Sequence, residues 1–419
     1  MNDSVSRQGF RSALGPGLVW AAAAIGVSHL VQSTRAGAVH GFGLVWVIVL
    51  ANLLKYPFFE FGPRYAIATG ESLVEGYRRL GRGVLIAYLV LTLGTMFAVE
   101  AAVTFVGGSI ATQLFGHWLS PFGYSVLLLA ICALLLSVGR YPMLDASVKV
   151  IITVLTISTI AAVIGAVVSS GSVRIPTAPA LPVSGAEFAF LIALVGWMPS
   201  AIDISVWHSL WTLARARQTA YVPTVREALA DFNVGYIGTA VIALFFVALG
   251  ALVWYGQGSD VPVAGGQFAA QLIALYTDAL GAWARPVIAL AAFTTMFSTT
   301  LTVTDAFPRV LQRTAVILWP GQAGGRETRL YRGWMLILIG GAILLMSAFR
   351  GQMTTMVDVA TTLSFMTAPI LSWFNLRAVT AAWVPEEARP RGWLLALSWI
   401  GLFFAAVFAL GFLAWRLTS

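Results

Sequence analysis

Eight ionisable side chains fall inside stretches that are otherwise apolar: His29, Lys55, Glu60, Glu100, Asp203, His208, Asp305 and Asp358. In hydrocarbon a charged group costs about 3 kcal/mol or more unless it faces a cavity or a partner, so each is a candidate for function. Glu60 and Arg64 are four apart and pair on one helical face, and Asp305 and Asp358 fall near the ends of their stretches, at the water boundary. Asp203 has no such explanation. It follows Met198-Pro199 by about one turn, and His29 follows Gly26 by three residues. Gly and Pro interrupt membrane helices, and the carbonyls freed there coordinate cations. The chemistry these types suggest is metal coordination by His29, Met198, Asp203 and carbonyls near Gly26 and Val195. A thioether and an imidazole favour iron, copper or zinc over magnesium. A lone Met also serves as packing and a lone His as a satisfied core group, so that alternative stays open. Between Thr294 and Thr304 seven hydroxyls recur; Ser298, Thr299 and Thr302 suit a hard second ion such as sodium, with Glu100 and His208 as further coupling candidates. Hydroxyls that bond their own helix are the competing reading.

The elements that must position these groups are membrane spans. The 419 residues are 59% hydrophobic and 10% charged, with a mean hydropathy of +0.85, far from a soluble composition. Apolar runs long enough to cross a bilayer as helix predict eleven spans: 15–37, 43–67, 84–113, 121–139, 146–170, 187–214, 230–255, 283–308, 332–349, 354–378 and 392–416. The first and sixth are the interrupted ones, with Gly26 and Met198 172 residues apart. That spacing predicts one all-α membrane domain over 1–419, as a five-plus-five inverted repeat (15–170 and 187–378) with broken helices 1 and 6 and an extra helix at 392–416. Gly265 to Arg285 is too interrupted to cross and reads as an external helix against the bundle.

Nineteen basic residues fall on one side of these spans and five on the other, with Lys55 inside. The positive-inside rule then puts the N-terminus in the cytoplasm and the C-terminus outside an inner membrane. Placed this way, the formal charge of +8 gives no reason to expect a nucleic-acid partner. The single cysteine, Cys132, excludes a disulfide within the chain. No His-Glu-x-x-His, Gly-x-Ser-x-Gly or phosphate loop occurs, which argues against an enzyme. No cofactor or obligate protein partner is inferred, only the bilayer and a transported ion.

Several motifs resemble the Nramp family of divalent metal transporters: Gly15-Pro16-Gly17, Ala36-Gly37-Ala38, Gly41-Phe42-Gly43, Leu50-Ala51-Asn52-Leu53, Thr69-Gly70-Glu71-Ser72-Leu73 and Met198-Pro199. The resemblance implies a LeuT-type fold and secondary transport of a divalent metal, coupled to a proton in typical members. Where typical members carry Asp-Pro-Gly-Asn, this chain has Gly26, Val27, Ser28 and His29. Ser200 stands for the His of Met-Pro-His, and Ala101 and Thr104 for acidic residues, with Glu100 one position away. Asp203 is the residue expected to return the lost carboxylate. A sodium-coupled carrier of a small polar solute is the alternative on the same fold.

Overall fold

The computed structural model describes residues 15–138, 142–169, 178–179, 184–255, 264–323 and 325–418, with backbone alone for 142–152 and 322–323. Eleven spans account for nearly all of it. Span 1 is α1 (Pro16–Ala24), a π-type turn (Ser28–Ser33) and α2 (Thr34–His40). Span 2 is α3 (Val45–Thr69), followed by a short helix α4 (Leu73–Leu80). Spans 3 to 5 are α5 (Arg82–Phe115), α6 (Pro121–Val138) and α7 (Pro142–Ser169). Span 6 is again broken, into α8 (Gly185–Trp197) and α9 (Ile204–Thr219), and span 7 is α10 (Val225–Val253). The helix between spans 7 and 8 is α11 (Gly265–Leu280); spans 8 to 11 are α12 (Ala284–Leu318), α13 (Glu327–Ala348), α14 (Met353–Val379) and α15 (Gly392–Thr418).

Eight of these helices are long and apolar enough to cross a membrane unbroken; α7 and the two broken spans complete the set. Their outer faces carry Leu134, Ile157, Val168, Leu344, Phe403 and Leu410 exposed, as a lipid solvent requires. α11 packs against the bundle, burying Phe268, Leu272, Ile273 and Tyr276. One boundary differs from the expectation, and one helix is additional to it. α12 does not stop at Pro308 but runs to Leu318, because Asp305 and Arg309 clasp each other across the proline turn at 2.7 Å and Tyr331 also donates to Asp305. α4 was not foreseen; Gly70, left-handed at φ 69°, ends α3, and Ser72 with Glu75 caps the new helix.

Span 1 is held against α10 along its whole length. The Asp231 carboxylate accepts from the N–H groups of Gly15 and Gly17 at 3.1 and 2.6 Å, capping α1 from another helix. Above it, a Cβ on Gly235 would lie 2.2 Å from the Gly17 carbonyl; at the far end, one on Gly37 would lie 2.0 Å from the Val247 carbonyl. Small residues let membrane helices approach this closely. Trp20 fills the space beside the lower contact, ring to ring with Phe59, Phe232 and Tyr236 at 5.2 to 5.7 Å. Gly37→Ala should therefore lower the melting temperature of the purified protein by several degrees, for an overpacking cost of about 1–3 kcal/mol. Gly340→Ala, where a Cβ meets nothing within 4 Å, should leave it unchanged. Equal effects would mean that span 1 and α10 are not in close contact.

Candidate functional site

The two breaks face each other in the middle of the bundle. In span 1 the main-chain ladder stops at Ile25 N–H to Ala21 O and resumes at His29 and Leu30 N–H to Gly26 O. Carbonyls 22 to 25 are thereby left out of it. Hydroxyls meet two of them: Ser28 donates to Ala24 O at 2.8 Å, and Thr299, from α12, reaches Ala22 O at 3.3 Å. In span 6 the ladder stops at Met198 N–H to Val195 O and resumes at Ile204 N–H to Ala201 O.

Between the breaks lies a cavity of about 40 Å³ lined by α1, the break and π turn of span 1, α5, the end of α8, the break of span 6, α9 and α12. That volume holds roughly three waters. Its polar walls are Ser28, Ser200 and Thr299; its apolar walls include Val27, Val99, Val103 and Trp197. Trp207 also lines it, 5% exposed, with an indole N–H that has no partner. No acidic side chain is among the lining residues.

The side chains expected as a metal shell do not converge on this cavity, and no cluster of three His, Cys, Asp or Glu capable of holding a metal occurs among the described residues. Met198 is fully buried in an apolar cluster with Ala36, Leu44, Val47, Leu194 and Phe365. His29 bridges span 1 to α10, with Nε2 3.0 Å from Thr239 O and Nδ1 2.7 Å from the Ser28 hydroxyl. Asp203 is buried just before α9 and is not among the residues that line the cavity. The Val195 carbonyl accepts from Lys55 at 2.7 Å. Gly26 is at the break, but a Cβ there would meet Thr299 Oγ1 at 3.0 Å, so Thr299 fills the space a larger residue needs.

The coupling candidates also separate. Along α12 the Thr295, Thr299, Thr300, Thr302 and Thr304 hydroxyls all reach carbonyls one turn back, Thr299 that of Thr295 at 3.0 Å and Thr302 that of Ser298; of the expected hydroxyls, Thr299 and not Thr302 lines the cavity. Glu100 faces α12 instead: its Oε1 accepts from Thr304 of α12 at 2.8 Å and from Thr104, one turn on in α5, at 3.2 Å. His208 is buried against Phe232, with neither ring nitrogen hydrogen-bonded. Glu60 and Arg64 pair at 2.5 Å as expected. Asp358 is not merely at a boundary: it binds Arg35 at 2.7 Å and Gln32 at 3.0 Å, tying α14 to span 1.

Sequence reasoning assigned no role to Lys55, Trp207 or the Ser28 hydroxyl. For Lys55 the signal was present, since a lysine in mid-span must find acceptors.

This arrangement, two discontinuous helices around one central cavity, defines the LeuT-type fold. The chain belongs to the Nramp family: the natural resistance-associated macrophage protein-like profile matches residues 17–414. It is 37% identical over 407 residues to an uncharacterized protein of Pasteurella multocida, covering 96% of this chain and 92% of that one. Over 101 residues, 24% of this chain and 23% of the other, it is 34% identical to the divalent metal cation transporter MntH of Verminephrobacter eiseniae. The crystal structure of the Eremococcus coleocola manganese transporter in complex with an aromatic bis-isothiourea substituted compound has the same fold, at a TM-score of 0.70 and 16% identity, over 98% of this chain and 87% of that one.

The placement of Met198 generates a direct check. Met198→Ala should lower thermal stability by several degrees whether or not divalent cations are present, because the loss is packing, about 2–5 kcal/mol for a buried methionine. The order of cation preference should stay as in the parent. A changed order would place the thioether in the site.

Proposed function

We propose that this chain is a secondary transporter of a divalent metal cation, working by alternating access around the cavity between the breaks of spans 1 and 6. The observation that carries the proposal is the cavity itself, small and walled by the hydroxyls of Ser28, Ser200 and Thr299. Family membership and the stretch shared with MntH support the class of cargo. The donor chemistry narrows it. With Met198 in an apolar cluster, the softness expected of the site is gone, and oxygen donors favour hard cations. With no carboxylate in the wall, the cation keeps part of its water shell, and the unpartnered Trp207 N–H donates to such a water. Hard ions that give up water reluctantly, magnesium foremost, fit best.

The unit of function is the whole chain as one membrane domain, with repeats over 15–170 and 187–378 and the helix at 392–416 added at the end. The uneven spread of basic residues, nineteen against five, supports an inner membrane with the N-terminus cytoplasmic and the C-terminus external, and hence inward transport. A second reading, a sodium-coupled carrier of a small polar solute, is favoured by the Trp207 donor and by Gly26, which leaves the cavity without a carboxylate.

Flux into liposomes separates the two. The purified protein should take up magnesium or calcium in preference to zinc or copper without a sodium gradient, and Thr299→Val should reduce that uptake roughly tenfold, as for one lost coordinating hydroxyl. Absence of divalent uptake, together with sodium-driven solute uptake, would replace the first reading by the second.

A further inference from the structure

Lys55 lies in the middle of α3, 7% exposed, in a pocket of Ala51, Leu54, Phe58, Ile202, Phe365 and Phe404 that offers it no negative charge. None of the ion pairs among the described residues includes it. Its Nζ instead donates to three main-chain carbonyls, those of Val195 at 2.7 Å, Gly196 at 2.8 Å and Ser200 at 3.1 Å. An ammonium has three N–H donors and no acceptor, so this set is complete. Val195 and Gly196 are in the last turn of α8 and Ser200 is in the break beyond it, while Met198, in the stretch between, is packed in an apolar cluster.

Carbonyls exposed by a broken membrane helix and converging on one point form the kind of cage that coordinates a bare cation. We propose that Lys55 is a resident cation: its ammonium fills a monovalent-cation position built by the carbonyls of Val195, Gly196 and Ser200, and holds the broken stretch of span 6 without a bound ion. Two consequences follow. The three carbonyls are withheld from the cargo, which is coordinated from the span 1 side, by Ser28, Thr299 and carbonyls 22 to 25. The break in span 6 needs no coupling ion, since its charge is covalently supplied. Ser200 also lines the central cavity, so the ammonium holds the backbone behind that wall. The inference does not depend on which cargo moves.

Truncating the side chain should turn the resident position into an ordinary ion site. Thermal unfolding of the full-length protein in detergent, in choline, sodium or methylammonium chloride, reads this without reference to transport. The parent should melt at the same temperature in all three salts. Lys55→Ala should melt several degrees lower in choline and recover a few degrees in sodium or methylammonium, which enter the space the side chain left. Lys55→Met keeps the stem and blocks that space, so it should be destabilised without recovery. Should the alanine variant fail to accumulate, Lys55→Gln, which keeps two N–H donors, should show the same cation response at smaller amplitude. A methionine variant as stable as the parent, or an alanine or glutamine variant indifferent to every cation, overturns the proposal. Equal stabilisation of parent and alanine variant by sodium also overturns it, by placing the ion elsewhere.

Discussion

A carbonyl at mid-membrane that has lost its helical partner finds none in lipid and must be met by another part of the protein or by a cavity, and this constraint organises the centre of the protein. Spans 1 and 6 each break there. In span 1 the freed carbonyls are met by hydroxyls, Ser28 within the span and Thr299 from α12. In span 6 they are met by a charge, the Lys55 ammonium from α3. Each break is therefore completed by a different helix, and the two solutions are chemically unlike. One leaves oxygen atoms facing a cavity; the other consumes them.

The rest of the bundle keeps those breaks in register. Asp231 fixes the start of span 1, the Gly17–Gly235 and Gly37–Val247 approaches fix its distance from α10, and His29 ties its middle to Thr239. Arg35 and Asp358 close one end between α2 and α14, with the Arg35 guanidinium over the Phe190 ring. Trp20 and its aromatic neighbours fill the other. Alternating access in such a fold means moving one set of these contacts while the other holds, and the contacts at the two ends differ in kind, polar at Arg35 and aromatic at Trp20.

The architecture was legible in the sequence because hydropathy over some twenty residues is a property of the chain itself, and because Gly26 and Met198-Pro199 mark their breaks without any knowledge of neighbours. The site was not. His29, Met198 and Asp203 lie close to the breaks in sequence, but a helix turn sends successive side chains to different neighbours, so proximity along the chain does not produce convergence. His29 turned to α10, Met198 to an apolar cluster, and Asp203 is buried outside the cavity lining. The density of hydroxyls in α12 misled for a related reason: most of them satisfy their own helix, and only the helical phase distinguishes Thr299 from Ser298 and Thr302. Lys55 was visible as an anomaly, yet its acceptors lie 140 residues or more away.

The central claim is that the cavity between the breaks is where the cargo cation binds, and thiol protection measures it most directly. Val27→Cys places a single reporter in the cavity wall once the buried Cys132 is replaced by serine. In proteoliposomes a small thiol reagent should label this cysteine several-fold more slowly when the transported divalent cation is present than in choline alone. Labelling at one rate in every cation the protein transports would contradict the account and move the binding site elsewhere.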